Sequence, residues 1–375
     1  MTAVPFLDMK SHVAALRPEL DAAIARVLDS GWFILGPEVE AFERELAAAV
    51  GAREAVAVAN GTEALELALV ALGIRPGDEV LTSPLSAAFT ALAVIAAGAR
   101  PVFADLDPRT LNVAPDAVAR AISPRTKALL PVHLYGHPAD MDPILAIARE
   151  HGLAVVEDAC QAVGARYKGR PVGTLASLGA LSFYPTKNLG ALGDGGAILV
   201  EDPTMAARLR QLRNGGQGDR YRHETTGINS RLDEVQAAVL RVGLRHLDAW
   251  TARRRELATL YRGGLQGAGL VLVAEEPYAE AVHHLFVVRH RRRDALAERL
   301  RARGVGTLVH YPIPLHLQPA LAYLGGQPGD FPVAEEAARE VLSLPLHPAL
   351  TDVQAQAVVA ATRDALRELA PGGGS

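Results

Sequence analysis

Cysteine and lysine are both scarce in this chain of 375 residues. Cys160 is the single cysteine, which excludes an intrachain disulfide and a zinc cluster built from cysteines. Only four of the 38 basic residues are lysines: Lys10, Lys127, Lys168 and Lys187. If the chemistry of the protein requires an amine, each candidate can therefore be considered in turn.

Long apolar runs and a strong net charge are also missing. The longest nearly apolar stretch, 87–99, is shorter than the roughly 20 residues of a membrane helix. The first ten residues lack the basic start and apolar run of a secretory signal. A net charge of −4 gives no electrostatic reason to bind nucleic acid or an anionic membrane. These features predict a cytoplasmic protein with neither kind of partner.

The first half of the chain alternates between two patterns. Short apolar runs bounded by turn residues predict buried strands at 54–59, 79–82, 100–104, 127–132, 153–158, 179–184 and 196–200. Segments with helical spacing lie between the first of these runs, for example 63–72 and 140–151. This alternation is typical of an α/β fold, in which helices cover both faces of a mostly parallel sheet.

The pattern changes after residue 203. Helices are predicted at 205–213 and, as one long element, at 232–260, followed by strands at 283–288 and 306–309 and helices at 333–342 and 352–369. We predict a large α/β domain over 1–250, with an N-terminal arm, a smaller C-terminal α+β domain over 251–371, and a flexible tail over 372–375.

Two strand ends carry groups suited to a charged ligand. Asn60, Gly61 and Thr62 lie between a strand and the helix that follows, where free N–H groups and a small hydroxyl form a phosphate site. Asp158 ends the run LAVVED, and a carboxylate in such a place is costly unless it meets a cation or several donors. Each segment alone is equally compatible with simple helix or turn capping.

The third group is Lys187, in SFYPTKN at the end of the strand 179–184. Pro185 keeps the loop from being helical, and the glycines of 190–196 allow a ligand close approach. Gln161, three residues after Asp158, offers an amide to a phenolate oxygen. The other three lysines lie in the N-terminal arm, at a strand start and in a turn.

Together these residues form the pattern that pyridoxal phosphate requires. The cofactor needs a phosphate cradle, a carboxylate for its ring nitrogen and a lysine that forms a Schiff base with its aldehyde. The same lysine can then move a proton at the substrate carbon. A GxGxxG fingerprint after a strand is absent from the sequence, which disfavours a dinucleotide-dependent dehydrogenase.

Four segments resemble the DegT/DnrJ/EryC1/StrS family: 132–144, 155–173, 182–198 and 227–240. The resemblance extends from about Phe6 to the last helix. It implies a fold-type I, pyridoxal-phosphate-dependent aminotransferase that aminates keto sugars on nucleotide carriers. Relatives that dehydrate sugars have histidine at the position of Lys187, so the lysine favours transamination.

Carried over residue by residue, the resemblance implies a role for each predicted site residue. Lys187 would bind the cofactor covalently, Asp158 would pair with the ring nitrogen, and Gln161 would lie beside the ring hydroxyl. The residues implied to hold the phosphate are Gly61, Thr62, Ser182 and, from the neighbouring subunit, Asn229. The active site would therefore be shared within a homodimer.

Two positions depart from the family pattern. An aromatic residue usually stacks on the cofactor ring within 83–91, but Ala87 occupies that position here and Phe89 follows two residues later. Either Phe89 stacks on the ring or a smaller residue covers it. Cys160 stands where the family often has alanine, and we interpret it as a small buried filler without a redox role.

The segment HYPIPLHLQP (310–319) resembles the branch that aminates C3 of nucleotide-linked 3-keto sugars. This loop approaches the sugar in that branch, although a proline-stiffened connector explains each residue equally well. The substrate contacts implied by the resemblance are Tyr184, His310, Tyr311 and His316.

The resulting hypothesis is transfer of an amino group from glutamate to a keto group, at C3, of a dTDP- or UDP-linked sugar. An amino-cyclitol precursor is the alternative substrate, and a regulator that binds pyridoxal phosphate or sugars without turnover is the alternative function. No metal site is predicted, because the pairs His133/His137 and His283/His284 each lack an obvious third ligand.

Overall fold

The computed structural model describes residues 3–370, so the predicted tail at 372–375 lies outside the described residues, as does position 371. The helices are α1 (Met9–Ser30), α2 (Pro37–Val50), α3 (Gly61–Ala71), α4 (Ala88–Ala96), α5 (Pro115–Ala121), α6 (Met141–His151), α7 (Pro203–Leu212), α8 (Glu234–Leu244), α9 (Leu247–Leu265), α10 (Arg293–Ala302), α11 (Pro332–Glu340) and α12 (Asp352–Leu369). Short 3₁₀ turns lie at Leu134–Gly136, Leu315–Leu317 and Pro319–Leu324. Within 3–370, none of the helices is long and apolar enough to cross a membrane.

The strands are β1 (Glu54–Val58), β2 (Glu79–Thr82), β3 (Arg100–Phe103), β4 (Thr126–Leu130), β5 (Ala154–Asp158), β6 (Arg166–Tyr167), β7 (Arg170–Pro171), β8 (Leu178–Ser182), β9 (Gly196–Val200), β10 (Gln217–Asp219), β11 (Arg222–His223), β12 (Val271–Leu272), β13 (Ala279–Glu280), β14 (Phe286–Arg289) and β15 (Val341–Leu344). Seven of them form the main sheet in the order β1-β9-β8-β5-β4-β2-β3. Only β9 runs against the other six. The predicted mostly parallel α/β sheet is therefore confirmed.

The strands of this sheet are apolar on both faces because both faces are covered by helices. Successive side chains of a strand point to opposite faces, and Ala57 and Val58 accordingly belong to different hydrophobic clusters. Phe42 of α2 and Leu240 of α8 pack on one side. Leu65 of α3 lies in the cluster on the other. The two-sided burial explains why these segments show continuous apolar runs.

The predicted long helix at 232–260 is wrong, because the structure divides it into α8 and α9. The break lies at Arg245 and His246, where the His246 amide donates to the carbonyl of Gly243 over 3.0 Å in a tight turn. Helix α9 then runs from the core beneath the main sheet, at Leu247, into a second core at Leu257. The predicted domain boundary at 250/251 therefore falls inside a continuous helix.

The smaller half is built on the sheet β12-β14-β15. Strand β15 replaces the end of the helix predicted at 333–342, and the strand predicted at 306–309 does not form. The backbone there divides its hydrogen bonds between two partners. The amide of Gly306 donates to the carbonyl of Val4, whereas Leu308 pairs with Ser343 in a single bridge.

The start of α2 is stabilised by a carboxylate from a distant helix. Glu234 is 1% exposed and accepts hydrogen bonds from the amides of Gly36, Glu38 and Val39 over 2.8–2.9 Å. Its negative charge also lies at the positive end of the helix dipole.

We expect Glu234→Gln to lower the stability of the fold by about 1–3 kcal/mol, because the amide has one acceptor oxygen for three donors. The change is measured as a fall in the thermal midpoint. Glu40→Gln, at an exposed position in the first turn of α2, is the matched control. Equal midpoints for the two variants would contradict the proposed capping role.

Candidate active site

The predicted phosphate residues meet at one edge of the main sheet. Strands β1, β5 and β8 run parallel, so the loops after them converge there. A Cβ atom added to Gly61 would lie 2.7 Å from the Cβ of Ser182 and 3.0 Å from the Sγ of Cys160. A larger residue than glycine would therefore collide with the neighbouring loops at position 61.

The beginning of α3 leaves donors free for an anion at this point. The Asn60 side chain accepts a hydrogen bond from the amide of Glu63 over 2.9 Å. The first amides of a helix, here those of Gly61 and Thr62, have no acceptor within the helix itself. With the hydroxyl of Ser182 beside them, they form a set of donors suited to a phosphate group.

Asp158, at the end of β5, is held by neutral donors. Its side chain is 4% exposed, and Oδ2 accepts a hydrogen bond from the Thr90 hydroxyl over 2.8 Å. Its Oδ1 accepts from the amide of Cys160 over 3.2 Å. A buried carboxylate with these partners would be stabilised further by a cation such as a protonated ring nitrogen.

Sequence reasoning missed Thr90 and its partner Ser86. The two hydroxyls lie 2.9 Å apart, both are buried, and Thr90 orients the Asp158 carboxylate. Their spacing of four residues in an otherwise apolar segment was the available signal. It did not indicate which acceptor the hydroxyls would meet, since Asp158 lies 68 residues further along the chain.

Lys187 differs from the other lysines in its environment. It is partly buried on the loop after β8, where its amide donates to the carbonyl of Tyr184 over 2.8 Å. Burial lowers the pKa of its amine, and the nearby carboxylate of Asp158 acts in the opposite direction. The remaining lysines, Lys10, Lys127 and Lys168, are exposed. Of the four lysines, Lys187 is therefore the one that is not exposed, and the Asp158 carboxylate is near enough to affect its pKa.

Gln161 connects the sheet edge to the loop at 310–311. Its Oε1 accepts a hydrogen bond from the amide of Tyr135 over 2.7 Å, and its Nε2 donates to the hydroxyl of Tyr311 over 2.9 Å. The Tyr135 hydroxyl in turn donates to the carbonyl of His310. One amide hydrogen of Gln161 remains for a ligand, which is compatible with its predicted position beside a ring hydroxyl.

Three of the four predicted substrate contacts lie around Lys187 or Gln161. Burial raises the pKa of Tyr311 to about 12, so its hydroxyl keeps its proton. Burial and the nearby Lys187 lower the pKa of His310 to about 4, and its Nδ1 lies 2.8 Å from the hydroxyl of Ser343. Tyr184 is 53% exposed on the Lys187 loop. Their contacts with substrate stay predictions.

His316, the fourth predicted substrate contact, is buried. This side chain is 2% exposed, its Nε2 lies 3.1 Å from the Oε1 of Glu335, and its ring packs edge-to-face on Phe331. The loop at 310–319 thus turns His316 into the protein interior. A contact between His316 and the substrate stays a prediction.

Phe89 and Asn229 are both exposed. Phe89 is 62% exposed on the face of α4 that also carries Leu92, whereas Thr90 turns inward to Asp158. Asn229 forms a backbone bridge with Asn214 in an exposed segment. Stacking by Phe89 and a reach of Asn229 into a neighbouring subunit stay predictions.

Cys160 lies at the edge of the predicted cofactor site. Burial and the Asp158 carboxylate raise the pKa of its thiol well above the ordinary value, so the sulfur stays protonated. Its Sγ lies 3.7 Å from the carbonyl of Ala180. This environment agrees with a small filler side chain.

The histidine pairs make other contacts. His133 Nε2 lies 3.1 Å from Glu157, and the glutamate also accepts from three backbone amides. His283 and His284 face different partners, Glu275 at 2.9 Å and Asn188 at 3.2 Å. Across 3–370, the structure contains no group of three or more side chains of the metal-ligating types that could hold an ion.

Two curated relatives cover nearly the whole chain. The chain is 54% identical over 362 residues to dTDP-3-amino-3,4,6-trideoxy-alpha-D-glucose transaminase of Streptomyces venezuelae, covering 96% of each chain. It is 52% identical over 358 residues to the erythromycin biosynthesis sensory transduction protein EryC1 of Saccharopolyspora erythraea, covering 95% of this chain and 98% of that protein.

Solved structures share the same fold. The structure of S. venezuelae DesV in complex with a ketimine intermediate superposes with a TM-score of 0.96, at 53% identity over 98% of this chain and 99% of that one. The structure of NtdA from Bacillus subtilis, with bound cofactor PMP, gives a TM-score of 0.91 at 32% identity, over 98% of this chain and 86% of that one.

The sequence profile of one family matches residues 15–363. That match, together with the relatives and the shared fold, confirms the resemblance found in the sequence and the expected fold type. The chain belongs to the DegT/DnrJ/EryC1/StrS aminotransferase family.

Proposed function

We propose that this protein is a pyridoxal-phosphate-dependent aminotransferase that aminates a keto group, at C3, of a dTDP- or UDP-linked sugar, with glutamate as the amino donor. One observation carries the proposal: Lys187, alone among the four lysines in not being exposed, is near a buried carboxylate whose hydrogen-bond donors are neutral. The names of the relatives as sugar transaminases and the PMP bound to a related fold support it.

Each predicted residue has a task in this proposal. Bound pyridoxal phosphate supplies an aldehyde for covalent attachment and a ring that accepts electrons. The amides of Gly61 and Thr62 and the Ser182 hydroxyl would hold the phosphate, and Gln161 would orient the ring through its hydroxyl. Asp158, oriented by Thr90, would hold a proton on the ring nitrogen.

Lys187 would have two tasks, attachment of the cofactor and movement of a proton at the substrate carbon. An amine can accept this proton only while it is uncharged, and burial of Lys187 favours the uncharged form. Tyr311 keeps its proton and would donate a hydrogen bond to the sugar.

We further propose that the enzyme acts as a homodimer with shared active sites. Three consecutive large apolar residues, Trp32, Phe33 and Ile34, are 57%, 48% and 39% exposed in the single chain. Such a patch is typical of a surface that another protein covers. Asn229 is exposed as well, in agreement with a contact to the phosphate bound by the neighbouring subunit.

A complementation experiment tests the shared site. Chains with Lys187→Ala and chains with Asn229→Ala are co-expressed and compared with each variant alone. We expect the mixture to regain up to about half of the wild-type activity per hybrid dimer, because one of its two sites then contains both intact residues. A mixture no more active than the sum of the two variants would contradict Asn229 acting across the interface.

The proposed reaction is tested in its two halves. Glutamate added to the cofactor-loaded protein should shift the absorbance from the pyridoxal to the pyridoxamine form. A panel of dTDP- and UDP-linked 3-keto sugars, with an amino-cyclitol precursor as the alternative, then identifies the acceptor by the return of the first spectrum. No spectral change with glutamate or any other amino donor would favour a regulator, the role suggested by the name of the EryC1 relative.

A further inference from the structure

The loop that carries Lys187 is joined to the smaller half of the protein by the next residue, Asn188. Its side chain is 5% exposed, and Nδ2 donates a hydrogen bond to the carbonyl of Val282 over 2.9 Å. The Oδ1 of the same amide lies 3.2 Å from the Nδ1 of His284. One buried side chain thus fastens the Lys187 loop to two residues of a distant segment.

These contacts determine the tautomer of His284. Because the amide nitrogen of Asn188 already donates to Val282, its oxygen must accept, and the proton of the imidazole lies on Nδ1. Burial lowers the pKa of His284 well below its ordinary value, and Lys187, Arg254 and His310 act in the same direction. The ring is therefore neutral, and its Nε2 carries a lone pair.

The backbone of His284 is also held in place. Arg254, which is 4% exposed, donates from its guanidinium group to the carbonyls of His283, His284 and Leu346 over 3.2, 3.4 and 3.0 Å. Arg254 projects from α9, the helix that connects the two halves. The position of His284 therefore depends on how α9 packs between them.

The surroundings of the Lys187 amine come from both halves. Asp158 of the main sheet is near enough to raise the pKa of Lys187, and Lys187 in turn lowers the pKa values of His284 and His310 in the smaller half. Both histidines are neutral, so neither places a positive charge beside the amine.

We propose that the hydrogen bond between Asn188 and His284 is a latch that holds the smaller half of the protein against the Lys187 loop and limits the access of water to the amine. Asn188 and His284 are then positioning residues for Lys187. This proposal extends the proposed role of Lys187, and the latch matters for catalysis only if Lys187 has that role. The latch itself requires no bound cofactor.

The test measures the ionisation of Lys187 directly. The full-length chain is freed of cofactor by dialysis against hydroxylamine, and its lysines are labelled with acetic anhydride over a range of pH. Mass spectrometry then follows each of the four lysine peptides, with the exposed Lys127 as an internal reference. We expect His284→Leu to raise the labelling midpoint of Lys187 by about one pH unit, because water would hydrate the charged amine.

Two variants separate the latch from a general loss of packing. His284→Asn keeps an N–H donor near the position of Nδ1 and is expected to leave the midpoint of Lys187 close to that of the unmodified chain. His151→Leu, at an exposed histidine in the last turn of α6, should not move the midpoint. A shift in His284→Leu that His284→Asn does not reverse would overturn the proposal.

An unchanged midpoint in folded His284→Leu would also overturn the latch. If that variant does not fold, Asn188→Ala makes the same test, since it removes the acceptor for His284. An unchanged midpoint in that variant has the same meaning. Because labelling needs no cofactor, failure of the latch is distinguishable from failure of the proposed function. Absence of transamination together with the expected midpoint shift would reject only the function.

Discussion

Lys187→Ala is expected to lower the turnover of amino-group transfer by at least about 10³-fold, because the change removes both covalent attachment and the amine that moves a proton. Noncovalent binding of the cofactor should persist, since Gly61, Thr62, Ser182 and Asp158 are unchanged. The loss is measured as a single-turnover rate with glutamate, at saturating cofactor. Borohydride reduction of the loaded protein, followed by peptide mass spectrometry, should place the cofactor on Lys187 in the unmodified chain.

Lys127→Ala is the matched control for this variant. Lys127 is exposed, and its Nζ donates only to the carbonyl of Pro124 over 3.2 Å, so its removal should leave turnover within about twofold of wild type. Substantial turnover by Lys187→Ala, or borohydride trapping at another lysine, would refute the proposed mechanism.

Asp158→Asn is expected to reduce turnover on the order of 10²–10³-fold, because a neutral amide cannot stabilise positive charge on the ring nitrogen. The amide also presents a donor where the carboxylate now accepts two hydrogen bonds, from Thr90 and from the amide of Cys160. The variant should release the cofactor faster, which is measured by absorbance after dilution.

Two further variants sharpen this result. Asp248→Asn removes an exposed carboxylate from the first turn of α9 and should leave turnover unchanged. Thr90→Val removes the hydroxyl that orients Asp158 while preserving the shape of the side chain, so we expect a smaller loss than for Asp158→Asn. Near-normal turnover in Asp158→Asn would show that the carboxylate does not act on the cofactor.

Much of the main sheet could be predicted from the sequence, because its strands are buried on both faces. Runs such as LAVV, before Glu157, and GAILV are apolar throughout, and turn residues lie nearby. The prediction failed where local pattern and packing disagree. The segment 232–260 has continuous helical spacing, yet a tight turn at Gly243 to His246 redirects the chain between two cores.

The sequence by itself also indicated the chemistry, because Lys187 is one of only four lysines and lies in a loop with many glycines. Few roles other than covalent attachment of a cofactor explain a lysine in such a loop. Only the tertiary structure decided which side chains orient these groups. Thr90 reaches Asp158 across 68 positions of the chain, and His284 reaches Asn188 across 96.

The structure also distinguished two residues of one loop by their contacts. Tyr311 accepts a hydrogen bond from Gln161, whereas His316 lies beside Glu335. Strand and loop patterns depend on neighbours within a few positions and are visible in the sequence. Contacts between distant segments depend on how the cores pack, and no local pattern determines that packing.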